Sequence, residues 1–231
     1  MADATDFKKF NARGAVTYSQ FTMNQALAQN ERSKFKKKDL AEVAPEVQLL
    51  LDDTQLKKLV KHITDVFLPE CVRRHNAGEK KEVLDPKQAK KVKEALTSGP
   101  AENWAVAPPH LPIKPVYKKT LKVIQWPVGT LKITGTKGRD IEQLARINGE
   151  SELKVPDPDL LAFPVLRPIN DTVHELYPGA WAYATLNLHA WEQSATNWGI
   201  SAYANTVVFL EDRDRLGGGF GLDEEDVFMD K

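Results

Sequence analysis

The chain has 231 residues, 42% hydrophobic and 28% charged, enough to bury a core in one large domain or two small ones. Its apolar runs, such as 47–51 broken by Gln48, fall far short of the ~20 residues of a membrane span, and the opening ten residues offer no secretory apolar stretch. The single cysteine, Cys71, excludes an internal disulfide and a multi-cysteine zinc site and points to a reducing cytoplasm.

The formal net charge is zero, but it is divided unevenly. Residues 1–125 carry 23 Lys and Arg against 15 Asp and Glu, and residues 126–231 carry 9 against 17. A basic half followed by an acidic half is a compositional hint of a nucleic-acid surface joined to an acidic tail.

In chain order, residues 12–21 (ARGAVTYSQF) read as a strand, because Val16, Thr17 and Tyr18 favour extended backbone. The lysine-rich connector that follows, with Lys36, Lys37 and Lys38, reads either as a solvated loop or as a phosphate-contacting one. A helix is predicted from the caps Asp52 and Asp53. Its stripe of Leu56, Leu59, Val60, Ile63, Val66 and Phe67 faces the core, and it should end or kink near Leu68 ahead of Pro69. A second helix opens at Asp85-Pro86, with Gln88 completing a capping box, and Ser98-Gly99-Pro100 stops it.

Residues 100–115 hold too many prolines for regular structure. Short strands are predicted beyond them, in 120–128, 129–136 and 163–169. Two long alternating strands follow, 181–191 and 200–210, joined by the polar segment 192–197. The fold class expected is mainly β with inserted helices (α+β), an OB-fold-like five-stranded β-barrel with helical decoration around 52–98. Periodicity alone does not separate that barrel from other small β folds. Residues 1–216 form one domain in this reading, and 217–231 form a glycine-linked acidic tail.

In the strand 181–191 the even positions are small and apolar, and the odd positions carry Trp181, Tyr183, Thr185, Asn187, His189 and Trp191. Rings alternating with hydrogen-bonding groups suit a single strand of DNA, because bases of any sequence stack on aromatic side chains. Trp198 and Tyr203 of the next strand extend the face. The bland alternative is that some of these rings belong to the core. Phosphate-neutralising candidates are Lys36, Lys37, Lys38, Arg73, Arg74, Lys118, Lys119, Lys122, Lys137 and Arg139.

The tail places Asp223, Glu224, Glu225 and Asp226 before Phe228. Four carboxylates can mimic a phosphate backbone, and Phe228 can anchor a partner protein, whereas an acidic end alone would serve only solubility. The pairs Asp157/Asp159 and Asp212/Asp214 admit a metal-dependent nuclease, but no serine nucleophile motif or histidine ligand pair accompanies them. No catalytic residue, cofactor or metal is expected.

Two segments carry a family resemblance. Leu176-Tyr-Pro-Gly-Ala-Trp-Ala-Tyr-Ala-Thr-Leu-Asn187 and ISAYANTVVFLEDRDRLGGG, with its D-x-x-x-L-G-G-G from Asp212 to Gly219, resemble the ending of a family of bacteriophage single-stranded DNA-binding proteins. The strand at 12–21 resembles that family's opening strand. The resemblance implies an OB-fold, sequence-independent binding of single-stranded DNA, and a tail recruiting replication, recombination or repair proteins in the cytoplasm of the infected bacterium. A strand-annealing recombination protein is the alternative. The chain departs from the family in its lysine-rich insertion and in ending Val-Phe-Met-Asp-Lys.

Overall fold

The computed structural model describes residues 6–33, 38–97, 108–115, 129–146, 166–168 and 176–213. Five strands close a ring. β1 (Lys9–Gln20) pairs antiparallel with β2 (Glu46–Leu51), and β2 pairs with β4 (Gly129–Thr134). β4 meets β8 (Asn197–Tyr203) in parallel, and β8 pairs with β7 (Trp181–Ser194). β7 returns to β1 through seven antiparallel register pairs from Lys9↔Asn187 to Ala15↔Trp181. Within the ring the strands are therefore joined in the order first, second, third, fifth, fourth and first again, which is an OB-type barrel.

The parallel seam between β4 and β8 is thin, with the single register pair Thr134↔Tyr203. The proline-rich segment fills it. The His110 amide donates to Trp198 O at 3.0 Å and His110 O accepts from the Ile200 amide at 2.8 Å, on the β8 side. Pro112 O and β3 (Ile113–Pro115) then pair with β4. Gly199 is required at this contact, since a Cβ there would collide with the His110 backbone.

Inward positions fill the barrel as period-two alternation dictates: Val47, Leu49 and Leu51 from β2, Leu131 and Ile133 from β4, Leu186 and Leu188 from β7, and Ile200 from β8, all buried. The helical insert between β2 and β3, loop included, adds Leu56, Leu59, Ile63, Phe67, Cys71, Leu84, Val92 and Leu96 to the same core. Burying each large aliphatic side chain contributes ~2 kcal/mol. Among the described residues no helix is long and apolar enough to cross a membrane.

Several expectations are met, and several are corrected. α4 (Pro86–Thr97) starts at the Asp85–Gln88 capping box, with reciprocal bonds of 2.8 and 3.0 Å, and the expected stop at 98–100 lies outside the described residues. Of the two expectations for the first predicted helix, an end or a kink near Leu68, the end is not met, and a break in regular α geometry stands just ahead of that residue. α2 (Asp53–His62) passes through a π turn over Ile63–Phe67 into α3 (Leu68–Asn76). The π turn widens the backbone just ahead of Pro69, which then sits in the first turn of α3, where its missing N–H is tolerated. The extra residue also rotates Val66 out to solvent, so Val66 is not part of the core stripe.

Residues 200–210 are two strands. The chain bends at Ala204-Asn205, so that β8 runs along one half of β7 and β9 (Thr206–Glu211) along the other. β9 carries a side sheet with β5 (Glu142–Arg146) and β6 (Leu166–Pro168). The predicted strand at 120–128 lies outside the described residues, as 116–128 are not described.

Candidate nucleic-acid interface

Strand register assembles one outer wall of the barrel. Residues paired across antiparallel strands share a face. Tyr203, Asn187 and Lys9 therefore form one row across β8, β7 and β1, with Ser201 and His189 in the next row, and Thr185 and Asn11 on the other side. Beneath them Ala182, Ala184, Leu186, Leu188 and Ala190 are buried, as alternation along β7 requires. Tyr203 is 38% exposed and the His189 side chain 43%, their rings edge-to-face with centroids 6.0 Å apart. Asn187 is exposed between them and Lys9. A shallow depression of about 360 Å³ is lined by Lys8, Glu82, Asn187, Leu188, His189 and Tyr203.

Glu82 anchors this wall to the helical insert. The loop after α3 holds it in the left-handed region (φ 54°), a conformation that a non-glycine residue keeps only when its surroundings compel it. Its carboxylate accepts from His189 Nδ1 at 2.6 Å, Lys8 Nζ at 2.7 Å and the Ala190 amide at 3.0 Å. Burial pushes this carboxyl up, but the bonds from His189, Lys8 and Ala190 outweigh burial and hold it at about 2. The imidazole is thereby fixed in orientation while part of its ring stays open. In the first turn of α4, Gln88 Nε2 donates to Glu192 of β7 at 3.1 Å.

The predicted rings divide into open and occupied ones. Trp198 points into the barrel, 3% exposed, because β8 turns that position inward alongside Ile200 and Ala202. Tyr183 faces outward, yet it is buried with Val208 and Leu210 of the side sheet, its hydroxyl 3.1 Å from Thr185 Oγ1. Trp181 is half-buried under the Arg213 guanidinium, 4.0 Å from its centroid. Trp191 is half-buried and stacks on His110, with centroids 5.7 Å apart and 12° between planes. Tyr183 and Trp198 thus present no free ring face, while Asn187, His189 and Tyr203 remain open.

Among the predicted cations, Arg73 and Arg74 are neutralised locally. Glu70 takes both, at 2.7 and 3.1 Å, and Glu79 stands 3.5 Å from each. The hydrogen bond from Arg73, opposed by partial burial and aided by Arg74, holds the Glu70 carboxyl at about 2. Lys38 is exposed beyond α1 (Met23–Arg32), and Lys137 and Arg139 are exposed in the turn between β4 and β5. Lys36, Lys37, Lys118, Lys119, Lys122, Asp157, Asp159, Asp214 and the tail positions Asp223, Glu224, Glu225, Asp226 and Phe228 lie outside the described residues. Asp212 accepts from the Tyr177 hydroxyl at 3.1 Å, a structural bond beside the exit of β9. Among the described residues no group of three or more His, Cys, Asp or Glu could hold a metal ion.

Sequence reasoning missed Lys8, Lys9, Asn11 and Glu82, because pairing between β1 and β7 cannot be read from local pattern. The other outer wall, on β2 and β4, is a poorer platform. Its Lys132 is tied to Glu46 at 2.5 Å, and Thr17 donates to Gln48 O across β1 and β2.

Ring order and wall together define the class: an OB-type barrel with one open aromatic and polar face flanked by lysines. No family model and no curated protein matches the sequence. Among solved structures the chain is similar to the single-stranded DNA-binding protein from bacteriophage Enc34, 13% identical, over 96% of this chain and 90% of that one, with a TM-score of 0.48. The same phage protein in complex with ssDNA is 12% identical over 92% and 91%, also at 0.48. It is also similar to gp2.5, a single-stranded DNA binding protein encoded by bacteriophage T7, 12% identical over 95% and 98%, with a TM-score of 0.42.

Proposed function

We propose that this chain binds single-stranded DNA without sequence preference on the outer wall of β1, β7 and β8, as a phage protein that protects and organises the strand during replication, recombination or repair. One observation carries the reading: the row Tyr203, Asn187 and Lys9, with His189 beside it, sets a ring, an amide and a cation at strand spacing on an open, supported surface. Rings stack on bases of any identity, and lysines neutralise phosphates.

The acidic tail competes with DNA for the basic surface and, once displaced, recruits partner proteins of the host cytoplasm, with Phe228 as anchor. The chain performs no catalysis in this reading, so labelled DNA incubated with magnesium or manganese stays intact. Cleavage would instead assign nuclease chemistry.

The test is titration of labelled oligo-dT followed by anisotropy and tryptophan fluorescence at two salt concentrations. Binding that weakens steeply with salt and quenches fluorescence supports the reading, and no binding at low salt overturns it. Removing residues 217–231 should tighten binding, and unchanged or weaker affinity removes the tail from the mechanism. Faster pairing of complementary oligonucleotides would favour the annealing alternative.

A further inference from the structure

The lysines best placed to follow a strand leaving the wall are on the helical insert. Glu82 fastens the insert's loop to His189 and Ala190, and Gln88 fastens α4 to Glu192, so the insert borders β7 from its midpoint to its hairpin end. Lys80 and Lys81 directly precede Glu82 at this rim, and both are exposed. On α4 the buried positions are Gln88, Ala89, Val92 and Leu96. At 100° per residue, Lys91 lies one turn from Gln88 on the flank toward β7. Lys87 stacks with Lys91 at i,i+4, while Lys93 falls on the opposite flank. Lys80, Lys81, Lys87 and Lys91 enter no ion pair among the described residues, unlike Arg73, Arg74 and Lys90.

Resting on the proposed DNA-binding wall, we infer that Lys80, Lys81, Lys87 and Lys91 form a phosphate track for single-stranded DNA on the helical insert, with Glu82 as the residue that positions the insert against the wall. Two open lysines on the loop and two on one helix flank suit a flexible polyanion better than a compact anion, which would need converging donors. His189 is bonded to Glu82 beside them, so bases stacked on Tyr203 and His189 leave the backbone to run along the insert.

The test uses the full chain and oligo-dT over a series of salt concentrations, with Lys80→Gln/Lys81→Gln, Lys87→Gln/Lys91→Gln and, as control, Lys93→Gln. Each phosphate contact on a single strand contributes about 0.7 to the slope of log K against log salt. Each double variant should therefore lower the slope by about 1.4, with the same loss on oligo-dT and oligo-dC, while Lys93→Gln leaves it unchanged. Unaltered slopes in both double variants, with the parent chain binding normally, overturn the track alone. Tighter binding in either variant would assign those lysines to the acidic tail and also overturn it. A parent chain that does not bind removes the wall and the track together.

Discussion

At the residue scale, Glu82 ties the helical insert to the candidate wall. Its carboxyl sits near 2, below the ordinary 4.5. A depressed carboxyl contributes stability that is fully present above about 4.5 and is lost as pH falls toward 2. Acid unfolding of the parent chain should therefore steepen in that window, and Glu82→Gln should flatten it; equal profiles from circular dichroism would remove Glu82 as the cause. Glu82→Ala strands a buried amide and the Lys8 ammonium and should destabilise by about 3 kcal/mol in urea melts. Tyr203→Ala, on an exposed and uncrowded site, should leave stability nearly unchanged and weaken DNA binding by ~1–3 kcal/mol, the worth of one stacked base. Cys71 behaves oppositely to a reactive thiol. Burial pushes it up to about 12, so a thiol reagent should label it only in denaturant.

At the scale of elements, legibility follows how local the deciding interaction is. The Asp85-Pro86-Lys-Gln88 start of α4 and the alternation of β7 are written in neighbouring residues, and both are readable. α1 is equally local: Thr22 and Gln25 form the capping box S/T-x-x-E/Q, yet the lysines beyond it draw attention away. The bend that divides β8 from β9 is not local, because it exists only so that one side of β7 can pair with two strands. Likewise β3 lies in a proline-rich run that reads as irregular, and its strand character comes from β4 alone. Gly199→Ala tests this dependence. The added methyl meets the His110 backbone, so it should unseat residues 108–111, destabilise by ~1–3 kcal/mol and alter the fluorescence of Trp191 through loss of the His110 stack. A variant with parent-like emission and stability would show that the segment is not seated by that contact.

At the scale of the molecule, the wall depends on ring closure, and closure joins parts from both ends of the chain. β1 supplies Lys9 and Asn11, while β7 and β8 supply Asn187, His189 and Tyr203, so neither half makes the wall alone. That explains why the rings were readable as candidates while their cationic neighbours were not. The thin β4–β8 seam has a consequence of its own. Tyr203 stands at its register pair, and the neighbouring Ala204 amide reaches Thr134 O at 3.2 Å. A strand of DNA stacked on Tyr203 and held across β7 to β1 would lie on the β8 side of this weakest joint and pin that edge without bridging to β4. Hydrogen exchange at Ala204 and Ile200 should then slow on binding more than at the already well-laddered β1–β2 contact, so the barrel would stiffen where its cargo lies.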